Sequence, residues 1–185
     1  LQLQGRRVYK RLLNTGNILF LKDYQMLRNP VTIAPLAEED IAAVQALTVK
    51  PFQKIFSGPS VDLRAGTEAG FSVHVIKKQG TVVGMFGVDT RFHFGLAFAL
   101  ADTPGIRSFI IDQNKQGQGL GTEACRMMPF YLRSIVPMAR GVYMLVHANN
   151  EGAFKSCFRG GWTDTGEKYT LGHTGPHHIL WMPLR

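Results

Sequence analysis

Ile106-Arg107-Ser108-Phe109-Ile110-Ile111-Asp112, then Gln116-Gly117-Gln118-Gly119-Leu120-Gly121, then Thr122-Glu123-Ala124-Cys125 is the stretch on which the fold is read. The first segment is a mostly apolar run suited to a central strand. The second is rich in glycine, which lets backbone N–H groups come close to an anion with no Cβ in the way. The third opens a helix running towards Val136, with Leu120, Ala124, Met127 and Met128, Tyr131 and Ile135 on one face. Pro129 is expected to kink or divide that helix, because it cannot donate its backbone bond. A helix start carries unpaired donors and the positive end of a dipole. The order strand, glycine loop, helix therefore suits a pyrophosphate. The bland alternative is a tight glycine turn with no ligand.

Two other nucleotide loops are set aside. A P-loop ends in Gly-Lys-Ser/Thr, but Gly121 is followed by Thr122 and Glu123. A dinucleotide fingerprint needs G-x-G-x-x-G; Gly117 and Gly119 fit, yet the last position is Thr122.

Upstream, Phe71–Lys77 alternates apolar and polar residues, Gln79–Gly80 makes a turn, and Thr81–Asp89 returns, which reads as a hairpin. Ala97–Ala101 is read with the strand segments that follow. Nearer the start, Val31–Pro35 reads as a short strand. A helix opens at Ala37–Asp40 with favourably placed acids and continues to Leu47. Short helices are expected at Phe52–Phe56 and near Ser60–Ala65. Downstream, Val142–Val146 reads as a second central strand. Asn150–Phe158 reads as a short helix ended by Gly160–Gly161. Trp162–Leu171 and His177–Met182 form a closing pair.

The chain has 185 residues, 45% of them hydrophobic, enough for one packed domain. Residues 1–30 hold six basic side chains against Asp23, so +5 of the net +8 lies in this leader. They are read as a basic N-terminal extension, with the domain at 31–185. Such a leader attracts nucleic acid or an acidic surface. Equally, it is a solvated extension, or sequence ahead of a start at Met26. Nucleic acid is not the favoured partner. No apolar run reaches the roughly 20 residues of a membrane span, and the reading is a cytoplasmic protein. Cys125 and Cys157 have no disulfide or metal spacing. His173, His177 and His178 lie around a glycine-rich turn, and adjacent histidines on a strand, such as His177 and His178, point to opposite faces and do not chelate together easily. No metal is expected.

With these residues in view, Gln116-x-x-Gly119-x-Gly121 resembles the signature Q/R-x-x-G-x-G/A of the GNAT superfamily of N-acetyltransferases. Asn150-x-x-Ala153, then Cys157, then Gly161-Trp162 resembles that family's next segment, N-x-x-A-x-x-x-Y-x-x-x-G-F. The likeness spans Val31 to Met182. Val49-x-Pro51-x-Gln53 with Ser60 faintly resembles a bacterial subgroup that includes polyamine acetyltransferases. The resemblance implies an α/β (α+β) fold with a mixed, mostly antiparallel sheet flanked by helices. It implies strands Ile106–Asp112 and Val142–Val146 splaying apart around the arm of acetyl-CoA. Backbone groups of Phe109, Ile110 and Ile111 would pair with that arm. Amides of Gln116, Gly117, Gln118, Gly119, Leu120, Gly121 and Thr122 would hold the pyrophosphate, with Asn150 and Ala153 beside the arm. Asn150 also reads as a helix cap.

The implied reaction moves an acetyl group to a primary amine of a small molecule or a peptide N-terminus, by direct attack in a ternary complex. A CoA-binding module of the same fold without catalysis is the alternative. The family's tyrosine proton donor falls at Cys157, a thiol that serves as donor, nucleophile or packing residue. Tyr169 and Tyr143 are replacements. Asp112 and His147 are candidate bases. Glu123 reads as a helix-start acid. Asp62, Glu68 and Glu167 are the carboxylates available to an acceptor, and homodimerisation stays open.

Overall fold

The computed structural model describes residues 31–57, 69–172 and 174–185. The basic leader, the expected helix near Ser60–Ala65, Asp62, Glu68 and His173 lie outside the described residues. The elements are β1 (Thr32–Pro35), α1 (Ile41–Gln45), α2 (Lys54–Ser57), β2 (Phe71–Lys78), β3 (Thr81–Asp89) and β4 (Gly105–Ile111). There follow α3 (Leu120–Ile135), β5 (Gly141–His147), α4 (Glu151–Arg159), β6 (Thr163–Tyr169) and β7 (His177–Pro183). Short 3₁₀ turns at Glu38–Asp40 and Pro51–Gln53 lead into α1 and α2.

The strands form a seven-stranded sheet in the order β1-β2-β3-β4-β5-β7-β6. All neighbours are antiparallel except β4 and β5, which run parallel and pair only at Gly105 with Tyr143 and Ile106 with Met144. The hairpin read at Phe71–Asp89 is β2–β3, paired along its length with a shift after Ile76.

Alternation assigns each strand's faces. Val142, Met144 and Val146 of β5 join Ile106, Phe86 and Leu180 in the main core. Against this face pack Leu120, Ala124, Met128 and Leu132, one side of α3 at four-residue spacing, and Cys157 of α4. Helix α3 is a single run of 16 residues; Pro129 is buried within it and does not divide it. Glu123 is buried as well. Its carboxylate accepts the Val31 amide at 2.7 Å and pairs with Lys78 at 3.1 Å, tying α3 to both edge-side strands.

The opposite face carries two apolar clusters. Val44 of α1 packs on Val73, Val75, Met85 and Ile110. Phe92 packs with Tyr143 and Ile179 beneath the β3–β4 connection. Ala97–Ala101 belongs to that connection and forms turns, which corrects the strand reading. The run is apolar because Phe98 and Ala99 pack on the sheet. Local bonds such as Ala99 N–H to Leu96 C=O hold it in turns.

His74 on β2 is buried between helix and sheet. Its Nε2 lies 2.8 Å from Ser72 Oγ and its Nδ1 lies 2.7 Å from the Tyr131 hydroxyl. Burial lowers its pKa from 6.5 to about 4. The folded state thus resists protonation that the unfolded chain accepts. The resulting stability is fully present above about pH 6.5 and is lost as pH falls towards about 4. We expect His74→Phe to flatten this slope. Between about pH 7.5 and about pH 4.5, the wild type should lose on the order of 2–3 kcal/mol more than the variant in denaturant melts. Equal losses would show that His74 is not the titrating group.

Candidate active site

The site begins where β4 leaves β5. Past Ile106, β4 continues for five residues with no β5 partner. Ser108 takes a left-handed φ of 52°, and the β3–β4 register shifts opposite it, between Met85 and Gly87. This bulge changes the alternation. Phe109 and Ile111 stay with Ile106 on the α3–α4 face, while Ile110 joins Arg107 on the other.

Beyond β4, Asp112 starts a short 3₁₀ turn and the chain enters the glycine loop. Gly119 is the residue before α3, at φ 81°, a conformation costly for a side chain with Cβ. No side chain caps the helix, and its first internal bond runs from the Glu123 amide to Gly119 C=O. The amides of Leu120, Gly121 and Thr122 are therefore free of helix partners. Gly121 also lets α3 approach α4, since a Cβ there would sit 3.3 Å from Ser156 Oγ.

A groove of about 460 Å³ joins these features. Its wall includes Phe109, Ile110, Ile111, Gln116, Gly117, Gly119, Leu120, Gly121, Thr122, Asn150 and Ala153. The structure brings these sequence-selected residues together around one space. Gln118 is the exception: its side chain turns out to Asn114 C=O at 3.4 Å. Gln116 Nε2 donates to Ile111 C=O at 2.9 Å and to Gln53 Oε1 at 3.0 Å, bracing the loop against β4. Asn150 caps α4, its Oδ1 accepting the Ala153 amide at 3.2 Å. Its amide nitrogen has no hydrogen-bond partner among the described residues.

Sequence reasoning gave no groove role to Val49 or Gly152; Gln53 and Phe56 fall in Pro51–Ala65, the stretch it expected to govern acceptor choice, and they line the groove too. It also missed a basic rim, Lys115, Lys155 and Arg159. Lys155 and Arg159 sit one helical turn apart on α4, a spacing visible in the sequence. Lys155 is also paired with Glu151 at 2.7 Å.

The candidate proton-transfer groups fall elsewhere. Cys157 is fully buried, its sulfur 3.7 Å from Cys125 Sγ and 3.6 Å from Met144 Sδ, so it packs α4 on α3 and β5 and does not line the groove. The hydrogen bond to Cys157, with burial, pushes the Cys125 thiol well above its ordinary range. His147 receives the Asn149 amide at Nδ1 (3.1 Å) and meets Thr174 C=O through Nε2 (2.7 Å). Those contacts fit the Nε2–H tautomer and occupy both ring nitrogens. Tyr143 is buried, with its hydroxyl 3.4 Å from Phe98 C=O. Tyr169 is half-buried on β6, opposite His177. Burial pushes the Asp112 carboxyl up, but hydrogen bonds from Thr48 and Asn114 outweigh it and hold the group below its usual range. Its two oxygens join the Thr48 and Asn114 amides, a structural role.

The model of the acetyltransferase (GNAT) family matches residues 41–158, which contain the split strands, the loop and α4. This chain is a member of the GNAT acetyltransferase family. No curated protein matches it in sequence. Among solved structures, the aminoglycoside acetyltransferase AAC(6')-Ib with coenzyme A and kanamycin superposes with TM-score 0.68 at 17% identity, over 83% of this chain and 94% of that one. A spermidine N-acetyltransferase from Vibrio cholerae, solved with CoA and spermine, has TM-score 0.62 at 13% identity, over 83% and 95%. A protein described as a putative phosphinothricin N-acetyltransferase has TM-score 0.59 at 16% identity, over 84% and 99%. At such identities the likeness establishes the GNAT fold. Among the described residues no helix is long and apolar enough to cross a membrane, and no group of three His, Cys, Asp or Glu side chains could hold a metal.

The packing position of Cys157 sets an expectation. Cys157→Ala should lower stability by about 1–2 kcal/mol and leave kcat for acetyl transfer within about twofold. A tenfold fall in kcat at unchanged stability would place the thiol in the chemistry instead.

Proposed function

We propose that the chain transfers the acetyl group of acetyl-CoA to a primary amine of a small molecule, by direct attack with both bound. The observation that carries this reading is the groove itself. It joins a helix start with free amides to a gap between parallel strands.

The residues present fit the group. Gly117 and Gly119 have positive φ, and a Cβ built at either meets nothing within 4 Å, so the loop's backbone is open on that side. Free amides and the dipole of α3 suit a diphosphate. Lys115 and Arg159 add charge at the rim. The β4 backbone past Ile106, which lacks a β5 partner, offers hydrogen bonds to an arm that carries amides. When bound, acetyl-CoA supplies a thioester carbon open to attack.

The protein's own part is then positioning and polarisation. A backbone N–H of Phe109, Ile110 or Ile111 would hold the developing oxyanion with little reorganisation. Orientation of amine and thioester supplies much of the rate. An alkylammonium with a pKa near 10.4 must lose its proton before attack. With His147 saturated and Asp112 engaged in bonds, water in the groove takes that proton. Of the side chains considered for protonating the leaving sulfur, Tyr169 has a hydroxyl without a structural bond among the described residues, and we assign it this role.

A second reading, a CoA-binding module without turnover, draws support from the sequestered Cys157 and His147. Two measurements separate the readings. Calorimetry should detect CoA binding, and Gly119→Val should weaken it at least tenfold, through strain of about 1–2 kcal/mol and a side chain over the phosphate site. Release of free thiol from acetyl-CoA that depends on added amine marks the enzyme; CoA binding with no release across an amine panel marks the module. If CoA gave no heat, both readings would fail.

A further inference from the structure

Among the described residues, the face of the strand split away from α3 and α4 carries a row of aromatic rings. Helices α3 and α4 occupy one face, so an amine reaching the split has the other face as its approach. That face holds Arg107 on β4, Tyr143, Leu145 and His147 on β5, His177 and Trp181 on β7, and Tyr169 on β6. The row starts at the point of the split, because Tyr143 pairs with Gly105 in the last stretch where β4 and β5 touch. Phe98, from the β3–β4 connection, lies 5.5 Å from Tyr143 and 5.9 Å from Tyr169, ring centre to ring centre. Tyr169 lies 6.3 Å from His177, His177 lies 5.1 Å from His147, and His147 lies 4.7 Å from Phe56. Phe56 lines the groove. The rings therefore run continuously from the groove wall to the outer hairpin.

Phe98, Tyr169, Trp181 and Leu145 are only partly buried, so each keeps a surface to offer. Burial lowers the pKa of His177, with the Gly175 backbone opposing and His147 reinforcing, so its ring adds no positive charge at neutral pH. Asp89, which pairs with Gly105 beside Tyr143, is committed. Asp89 Oδ2 pairs with Arg107 at 2.7 Å, and its Oδ1 accepts the Arg91 amide at 2.9 Å. Arg107 stands beside the split, over the Phe92 ring at 5.5 Å. A multiply charged amine would meet that guanidinium and find Asp89 already neutralised. A flat apolar body would find edge and face contacts with rings spaced 5–6 Å apart.

We infer that the acceptor is a monoamine bearing an aryl group, its ring seated among Phe98, Tyr169 and His177 and its amine at the split. This rests on the acetyltransferase reading and narrows it to a substrate class. It sets the chain apart from structural neighbours solved with kanamycin or spermine.

The experiment compares 2-phenylethylamine and tyramine with spermidine and kanamycin as acceptors for the full chain, alongside calorimetric CoA binding. The aryl amines should show kcat/KM at least tenfold above both polycations. His177→Leu and, separately, Phe98→Leu should each raise KM for 2-phenylethylamine about fivefold or more, with CoA affinity unchanged. CoA affinity confirms that either variant is folded. Equal or better turnover of spermidine or kanamycin would overturn the inference while leaving acetyl transfer standing. So would two folded variants with unaltered KM for the aryl amine. Absence of CoA binding would instead remove the acetyltransferase reading on which the inference rests.

Discussion

Everything in this domain is arranged around a strand pair that stops too early. Strands β4 and β5 share two residue pairs and then part, although both continue. A buried backbone group without a partner is costly, so a fold that ends a central ladder early needs something else in the gap. The bulge at Ser108 is the local device. It lets Phe109 and Ile111 stay packed on the helices while β4 turns away from β5. The loop then delivers α3 with its free amides at the mouth of the same gap. On the proposed reading, phosphate site and acyl site are two ends of one interruption in the sheet.

The helices that border the gap are held close by small side chains. A Cβ at Gly160 would fall 2.3 Å from Cys125 Cβ, and one at Gly121 would fall 3.3 Å from Ser156 Oγ. Cys125 and Cys157 fill the space between at 3.7 Å. A phenol ring at position 157 would have to displace this packing or turn outward. The departure from the family pattern at Cys157 is therefore tied to how tightly α3 and α4 meet. On the proposed reading, the proton for the leaving sulfur comes from outside that contact.

The sequence made the scaffold legible wherever one local rule dominated. The β2–β3 hairpin follows from alternation and the Gln79–Gly80 turn, and both residues of that turn do take positive φ. The loop at Gln116–Gly121 follows from its glycines and the apolar run before it. Asn150 reads correctly as a cap because a cap acts over three residues. Reading failed where distant parts of the chain decide. Ala97–Ala101 is apolar like a strand, yet its partners are a sheet face, and no local pattern separates the two cases. Asp112 looks like a free acid at a strand end until Thr48, 64 positions away, occupies it. His147 looks like a base until both nitrogens are counted. Gln53 and Phe56 reach the groove only because α2 folds back over β4.

This division of labour bears on specificity. Neighbours at 13–17% identity share the fold, although their solved partners range from kanamycin to spermine. On the reading proposed above, the acceptor end is built from the β3–β4 connection, the approach to α2 and the closing hairpin. In this chain those segments place Phe98, Phe56 and Tyr169 around the split, and bind Asp89 to Arg107. On that reading, the scaffold presents the acyl group, and the rings and the neutralised carboxylate select what approaches it.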